Sequence, residues 1–489
     1  MMDLAIVLDK TISSPLHQQL YEELRQAILT GKLCPGEKLP STRTLAQSLG
    51  VSRGTVKLGY EQLLNEGYLE SALGSGTFVC HQISDQSLPT LPSQSSCPGN
   101  LKTVGLSQYA QNFATRSLPQ RSLSKPEIDF CYWQPAFDHF PLQTWRQITN
   151  RHLQSSDLLD YSSDPLGYKD LREAIAHYLV RSRAVRCDAE QVMLVNGTQQ
   201  ALDLIARLFI DPGDRVVMED PGYLSARRVF QSQGAEMLPI SVDSSGLRVE
   251  HLQSISNPVK LIYTTPSHQF PTGAILSLPR RLELIAWAQQ RGTLIIEDDY
   301  DSEYRYGEKP LPAMQGLDQN YSVVYIGTFS KVLFPGLRMG YIVVPPGLVK
   351  TFAQVKRLID RHSPLLEQYV LADFINEGHF DRHLRRMRTL YHQRWQTLIN
   401  ALEKELGEQV TILGNAAGIH LMVQLHTGLG DDEVIIRAAQ IGVGLMSAAS
   451  FYFTKKSRRG QFLLGYANLE KEQIQEGVCR LAQVLVTSQ

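Results

Sequence analysis

Apolar positions in the first eighty residues follow two rhythms. In PLHQQLYEELRQAIL they fall at Leu16, Leu20, Leu24, Ala27 and Ile28, the stripe of a helix with one buried face, and Pro15 is placed to start it. A Ser/Thr start and a glycine stop bound STRTLAQSLG, while SRGTVKLGYEQLLNEG opens at the cap-type Ser52 and stops at Gly67. These spacings predict three helices, the last two joined by a tight GVS turn. YLESALGSGTFV then has the rhythm of two short strands about a Gly-Ser-Gly turn, a hairpin.

Periodicity is lost from Cys80 to about Pro126. Eleven of the twenty residues in HQISDQSLPTLPSQSSCPGN are Ser, Gln or Pro, which predicts a flexible linker, with a short helix around LSQYAQNFA. From Ile128 onward, short β-branched runs (QVMLVNG, DRVVMED, KLIYTTP, GTLIIEDD, SVVYIGTFS) alternate with helical stretches such as TQQALDLIARLF. That alternation predicts an α/β body with a mostly parallel sheet covered on both faces. The expected organisation is a mainly helical domain at 12–80, a linker at 81–126 and an α/β domain at 127–489, with a smaller helix-rich C-terminal subdomain from about 365.

Composition changes this picture little. The 489 residues are 43% hydrophobic and 20% charged with a formal net charge of -1, so contact with a polyanion has to come from a local patch. No window is apolar enough for a membrane helix, and MMDLAIVLDKTISS lacks the basic start of a targeting peptide. The six cysteines are scattered without CxxC or metal-ligand spacing, which predicts free thiols in a reducing cytoplasm and no metal site.

Three helices and a hairpin make the winged helix-turn-helix layout, which places its second turn-joined helix in a DNA groove. That helix carries Arg53, Thr55 and Lys57 in its first turns and Glu61 and Glu66 at its far end. Basic and hydroxyl groups at a helix start are where phosphate and base contacts are made. In the wing, Gly74, Ser75, Gly76 and Thr77 would let backbone approach a phosphate. Residues 10–80 hold seven Lys+Arg against six acids, so clustering rather than net charge separates a DNA reader from a solvated bundle. The run from Pro15 to Val79, with PGEKLPSTRTLAQSLGVSRGTV, resembles the DNA-binding domain of the GntR family of bacterial regulators. The resemblance implies double-stranded DNA contact by Arg43, Ser52, Arg53, Thr55, Lys57 and Gly76.

The α/β body offers a second chemistry. Pyridoxal phosphate requires an imine lysine, an acid against its pyridine nitrogen, a ring stack, a partner for its 3-hydroxyl and a phosphate cup. GTFSKVLFPGLRMG supplies Lys331 for the imine and Thr328, Ser330 and Arg338 for the phosphate. NGTQQAL adds Gly197, Thr198 and Gln199 between a strand and a helix start, where backbone N–H groups suit an anion. IIEDDYDSEYRY ends a strand in three acids, which are costly there unless a cation meets them. We assign Asp298 to the pyridine nitrogen and Tyr300 to the 3-hydroxyl, with Asp299 a rival that the sequence does not separate. EDPGY places Tyr223 after a Pro-Gly turn, as the ring stack.

Together these stretches, with YSSDPLGYKDLREAIAHYL, DPGDRVVMEDPGY and PSHQFPTG in family order, resemble fold type I pyridoxal-phosphate enzymes, the aminotransferase superfamily. A GntR-like reader fused to such a body resembles the MocR subfamily of bacterial transcription regulators. The resemblance implies a cytoplasmic bacterial protein, a head-to-tail homodimer and sensing of a metabolite through an aldimine at Lys331.

Two departures bear on function. Where aminotransferases of this fold have Asn-Pro-Thr-Gly, HQFPTG has Phe270. Where they carry an arginine for the substrate α-carboxylate, VGLMSAASFYF has none; Arg458 and Arg459 follow in an apparent surface turn, and Ser225 is uncharged. The expected effector is therefore an amine, a neutral amino compound or pyridoxal phosphate itself. A working aminotransferase with an appended DNA-binding domain is the alternative, because the cofactor set is complete. A cofactor-free relic is the third reading, and the intact set argues against it.

Overall fold

The computed structural model describes residues 6, 8–9, 14–72, 75–80, 105–114, 126–130, 132, 134–159, 164–307, 311–453 and 459–486. The chain divides into two compact units, residues 1–105 and 106–489. Gly74, Cys97, Cys131, Arg458 and most of the Ser/Gln/Pro-rich stretch lie outside the described residues.

In the first unit, helices α1 (Leu16–Leu29), α2 (Thr42–Leu49) and α3 (Arg53–Asn65) are followed by a hairpin of β1 (Leu69–Ala72) and β2 (Gly76–Val79). The predicted apolar stripe becomes the core: Leu20, Leu24 and Ile28 of α1 pack with Leu45, Val56, Tyr60 and Leu63, and the hairpin adds Leu69 and Val79. Caps set the boundaries. Ser41 accepts a hydrogen bond from the Thr44 backbone N–H at 3.2 Å and Ser52 from that of Thr55 at 3.1 Å, each satisfying an orphan donor of a first turn.

The second unit begins with the short α4 (Gln108–Ala114), where LSQYAQNFA predicted one. Strand β3 (Ile128–Asp129) precedes helices α5 (Leu142–His152) and α6 (Lys169–Arg183). The central sheet comprises β4 (Val192–Val195), β5 (Arg215–Asp220), β6 (Glu236–Asp243), β7 (Gly246–Leu247), β8 (Leu261–Thr264), β9 (Leu294–Asp299), β10 (Val323–Thr328) and β11 (Gly340–Val343). Its order is β4-β11-β10-β9-β8-β5-β6-β7. The pairings from β10 through β6 are parallel, and β11 runs antiparallel to both neighbours. The sheet is thus mixed but mostly parallel.

Strand alternation sorts side chains to two faces. Val216, Met218 and Ile296 pack against α7 (Thr198–Phe209), α8 (Leu224–Ser232) and, through Phe352, α11 (Val349–Ile359). Val217, Ile262 and Ile295 pack on the other face against α9 (Leu278–Arg291) and α10 (Met314–Leu317). The last part of the chain has α12 (Leu365–Asn376), the 28-residue α13 (His379–Leu406), α14 (Asp431–Gln440) and α15 (Lys471–Val486). It also holds a sheet that helical periodicity did not disclose: β12 (Val410–Leu413), β13 (His420–Leu425), β16 (Gln461–Gly465) and β15 (Met446–Ser447) in that spatial order, while β14 (Val443–Gly444) pairs with β3. Among the described residues, no helix is long and apolar enough to cross a membrane.

Candidate functional sites

The carboxyl ends of the parallel strands converge on one cavity, where ligands of open α/β sheets bind. Gly197–Gln199 follow β4, Tyr223 follows β5, Thr265 and Phe270 follow β8, Asp298 and Tyr300 lie at the end of β9, and Thr328–Lys331 lie at the end of β10. The cavity measures about 430 Å³, and its walls include Thr198, Gln199, Tyr223, Asp298, Tyr300, Thr328, Ser330, Lys331 and Arg338. Gly197 adjoins it with φ +81, a conformation suited to glycine, and a Cβ there would come within 3.2 Å of Arg338 Nη2.

Alternation on β9 separates the two aspartates. Asp298 shares the Ile296 face and lines the cavity, accepting a hydrogen bond from Tyr263 Oη at 2.7 Å. Asp299 points the other way, to a buried ion pair with Arg183 (2.8 Å) and a hydrogen bond from Tyr325 Oη (2.6 Å). Oδ1 of each lacks a hydrogen-bond partner, but of the two residues only Asp298 belongs to the cavity wall. Burial pushes the Asp298 carboxyl up to about 7, against the pull of the Tyr263 hydrogen bond.

On the phosphate side, Arg338 takes the left-handed conformation (φ 51) that costs a residue with a Cβ about 1 kcal/mol or more. Its backbone N–H donates to Pro335 O, and Nη2 donates to Asn196 O at 3.2 Å, so the turn before β11 and the turn after β4 are tied together. Thr328 Oγ1 accepts from the Ser330 N–H at 3.2 Å. The Lys331 amine lies 5.8 Å from the centre of the Tyr132 ring, within cation–π range.

Sequence reading missed several wall residues. Tyr132, Tyr263, Thr265 and His420 line the cavity, and none stands in a stretch whose pattern announces a site. Glu219, buried beneath Thr265, accepts from the Thr264 and Thr265 hydroxyls at 2.6 and 2.7 Å; its chain position at the end of DRVVMED was the available signal. His420 is held neutral, its pKa driven well down by burial and by the neighbouring His268.

Both departures are structural facts. Phe270 is buried in the wall, 4.9 Å from the Phe451 ring and 5.7 Å from Tyr223, an apolar surface without a donor. Ala448 and Phe451, from the stretch without arginine, pack on it. Arg338 is the single arginine among the described wall residues. Arg459 lies in an exposed turn, and Arg227 of α8 donates to the carbonyls of Ser450 and Tyr452.

In the first unit, α3 buries Val56, Tyr60 and Leu63 and exposes Arg53, Lys57, Leu58 and Glu61. Arg43 is exposed on α2. Lys57 pairs loosely with Glu61 at 3.5 Å, and Arg53 Nε donates to Thr42 Oγ1 at 3.3 Å. The Thr55 hydroxyl sits 2.9 Å from that of Ser52, inside the cap. Gly76 has φ +124, and a Cβ there would meet Lys38 Cε at 2.8 Å, so the start of β2 accepts only glycine without local movement. Leu58, 53% exposed on α3 about a quarter-turn round the helix from Lys57, was not anticipated.

Known proteins match both units. Residues 16–79 match the family of bacterial regulatory proteins, gntR family, and residues 125–481 match aminotransferase class I and II. The chain is 41% identical to the probable rhizopine catabolism regulatory protein MocR of Rhizobium meliloti, over 97% of this chain and 94% of that one. It is 34% identical to the HTH-type transcriptional regulator TauR of Rhodobacter capsulatus, over 96% of each. Among solved structures it is similar to LysN, the α-aminoadipate aminotransferase of Thermus thermophilus in complex with N-(5'-phosphopyridoxyl)-L-leucine. That similarity is 31% identity over 74% of this chain and 92% of that one, with a TM-score of 0.68. The chain belongs to the MocR-type helix-turn-helix transcriptional regulators, in which a gntR-family domain is joined to an aminotransferase class I and II domain.

Proposed function

We propose that this chain is a DNA-binding transcription regulator whose α/β domain takes pyridoxal 5'-phosphate in the strand-end cavity and uses it to sense an amino compound. One observation carries the reading: Lys331, Asp298, Tyr223, Tyr300 and the Thr198–Gln199–Thr328–Ser330–Arg338 set face a single cavity in a chain that also has a helix-turn-helix. The residues fit the group. Asp298, a wall residue of the cavity, keeps one carboxylate oxygen without a hydrogen-bond partner, and the left-handed Arg338 turn meets a glycine at a helix start.

Bound there, pyridoxal phosphate supplies an aldehyde carbon that captures amines and a ring that withdraws electrons. Lys331 is the wall amine that would hold the cofactor through its aldehyde carbon. Asp298 would hold the pyridine nitrogen in its protonated form, Tyr300 would serve the 3-hydroxyl and Tyr223 would cover the ring. Arg338 and the amides at the α7 start would hold the phosphate.

The apolar Phe270–Phe451 wall and the lack of a second arginine favour an amine, a neutral amino compound or the cofactor itself as effector. Arg43, Ser52, Arg53, Thr55, Lys57 and Gly76 are proposed to meet operator DNA; Ser52 and Thr55 contribute through the start of α3, where their side chains cap one another. A homodimer is the assembly we infer from the family.

The test uses the full chain. Pyridoxal phosphate is added, excess is removed, and visible absorbance is followed as a panel of amines and amino acids is titrated. In parallel, affinity is measured for DNA selected from a random library. A retained band, absent in Lys331→Ala, together with an amine that changes both absorbance and DNA affinity over one concentration range, supports the regulator. Conversion to the pyridoxamine form, reversed by a keto acid and without effect on DNA affinity, makes the protein an aminotransferase instead.

A further inference from the structure

Below Tyr300 lies a buried pair that the proposed function does not use. The Tyr300 Oη is 3.0 Å from His268 Nδ1, and the same nitrogen is 3.1 and 3.0 Å from the two carboxylate oxygens of Asp301. His268 is 2% exposed and Asp301 1%. His268 Nε2 has no hydrogen-bond partner and faces Gly273, where a Cβ would lie 3.2 Å from it.

This geometry fixes where the hydrogens are. The Asp301 carboxylate offers only acceptors, and His268 Nδ1 is the donor the structure gives it. With the hydrogen on Nε2 alone, Nδ1 would turn a lone pair toward the carboxylate and a buried N–H would go unsatisfied. Nδ1 therefore carries a hydrogen, shared between Asp301 and the Tyr300 oxygen. Tyr300 then accepts from below, and its own hydrogen has no acceptor on that side. Phe270 lines the wall beside it and offers no polar group.

We propose that His268, held by Asp301, is a positioning residue for Tyr300: it occupies the underside of the tyrosine oxygen and so aims the hydroxyl hydrogen into the cavity. This rests on the reading that pyridoxal phosphate binds there with its 3-oxygen toward Tyr300. A donor aimed at that oxygen favours its deprotonated form and lowers the pH at which the visible absorbance of the bound cofactor changes. The charged and titratable groups whose field reaches Tyr300 are Asp301, Asp298, Glu219 and Tyr132, and the His268 and His420 rings pack beside it. Because Asp298 lines the same cavity, each midpoint is read as a difference from the wild-type chain rather than as an absolute value.

The experiment titrates the visible absorbance of the full chain loaded with pyridoxal phosphate. Tyr300→Phe is expected to raise the midpoint by about one pH unit, the worth of one charge-assisted hydrogen bond. His268→Leu and Asp301→Asn are expected to raise it by at least about half as much. The Tyr300→Phe/His268→Leu double variant adds nothing further, and His268→Asn, whose side-chain N–H falls nearest the lost one, restores most of the shift. Failure of the wild-type chain to hold any visible band sinks the cofactor reading and this inference with it. A band whose midpoint moves in Tyr300→Phe and stays put in both His268→Leu and Asp301→Asn overturns the inference alone. So does a loss of cofactor content in those variants at an unmoved midpoint, or an unmoved midpoint in Tyr300→Phe. Should His268→Leu not fold, Asp301→Asn decides by the same criterion.

Discussion

Asp298 and Asp299 are consecutive residues of β9 with opposite surroundings: one lines the cavity beside Tyr263, and the other is locked to Arg183 and Tyr325 behind the sheet. The half-turn between successive strand residues is enough to give two identical side chains separate tasks.

Their substitution is therefore expected to split stability from binding. Asp299→Ala strands the Arg183 guanidinium in the interior and should destabilise the chain by about 3–5 kcal/mol. Asp298→Ala removes one hydrogen bond from Tyr263 and relieves a buried carboxyl, so its cost is about 1 kcal/mol or less, while retention of pyridoxal phosphate is lost. Denaturant unfolding and cofactor content after gel filtration measure the two effects. Equal destabilisation by both substitutions would contradict the assignment.

The raised Asp298 carboxyl also predicts a pH dependence. Its folded value of about 7 lies above the ordinary 3.8, so the folded chain binds the extra proton between those limits. Its contribution to stability is full below about 4 and is lost as pH rises to about 7. In the ligand-free chain, the stability difference between wild type and Asp298→Asn should fall across that window, at most about 1.4 kcal/mol per pH unit. Adding pyridoxal phosphate should flatten the difference, since a pyridinium N–H favours the ionised carboxylate. Thermal unfolding at a series of pH values reads both slopes.

Behind the α7 start, Lys356 is fully buried and its ammonium reaches Asp360 at 2.8 Å. Asp360 in turn accepts from Asn196 Nδ2 at 3.1 Å and Gln200 Nε2 at 2.6 Å, bracing the turn that carries Gly197 and Thr198. Asp360→Ala should cost about 3 kcal/mol and weaken binding of inorganic phosphate or pyridoxal phosphate. Lys356→Met leaves the partly exposed Asp360 its amide partners and should cost about 1 kcal/mol or less. Chemical denaturation compares them, and similar losses in the two variants would refute the bracing role.

In the first unit, Arg53 and Ser52 should separate contact from fold. Arg53 is exposed, so Arg53→Ala should leave stability within about 0.5 kcal/mol while lowering DNA affinity and reducing the salt dependence by about one counterion. Ser52→Ala removes the α3 cap and should lower stability by about 1 kcal/mol. Binding isotherms at several salt concentrations, beside thermal melts, distinguish the two.

The elements with strong local signals were readable in the chain: three capped helices, a hairpin and five strands with helices between them. Binary pattern and caps act over a few residues, so a single sequence carries them. The antiparallel β11 and the four-stranded sheet of the last hundred residues were not, because GYIV and HLMVQL are too short to distinguish a strand from a buried helix turn or loop. Candidate residues in motif order, such as Lys331 with Arg338 or Gly197 with Thr198, could be named from their spacing. Only the tertiary structure decided which of Asp298 and Asp299 faces the cavity, and only it brought Tyr132, His268, Asp301 and His420 to that end of the sheet. Those positions depend on strand register and on segments more than a hundred residues apart meeting in space, and side-chain pattern along the chain holds no record of either.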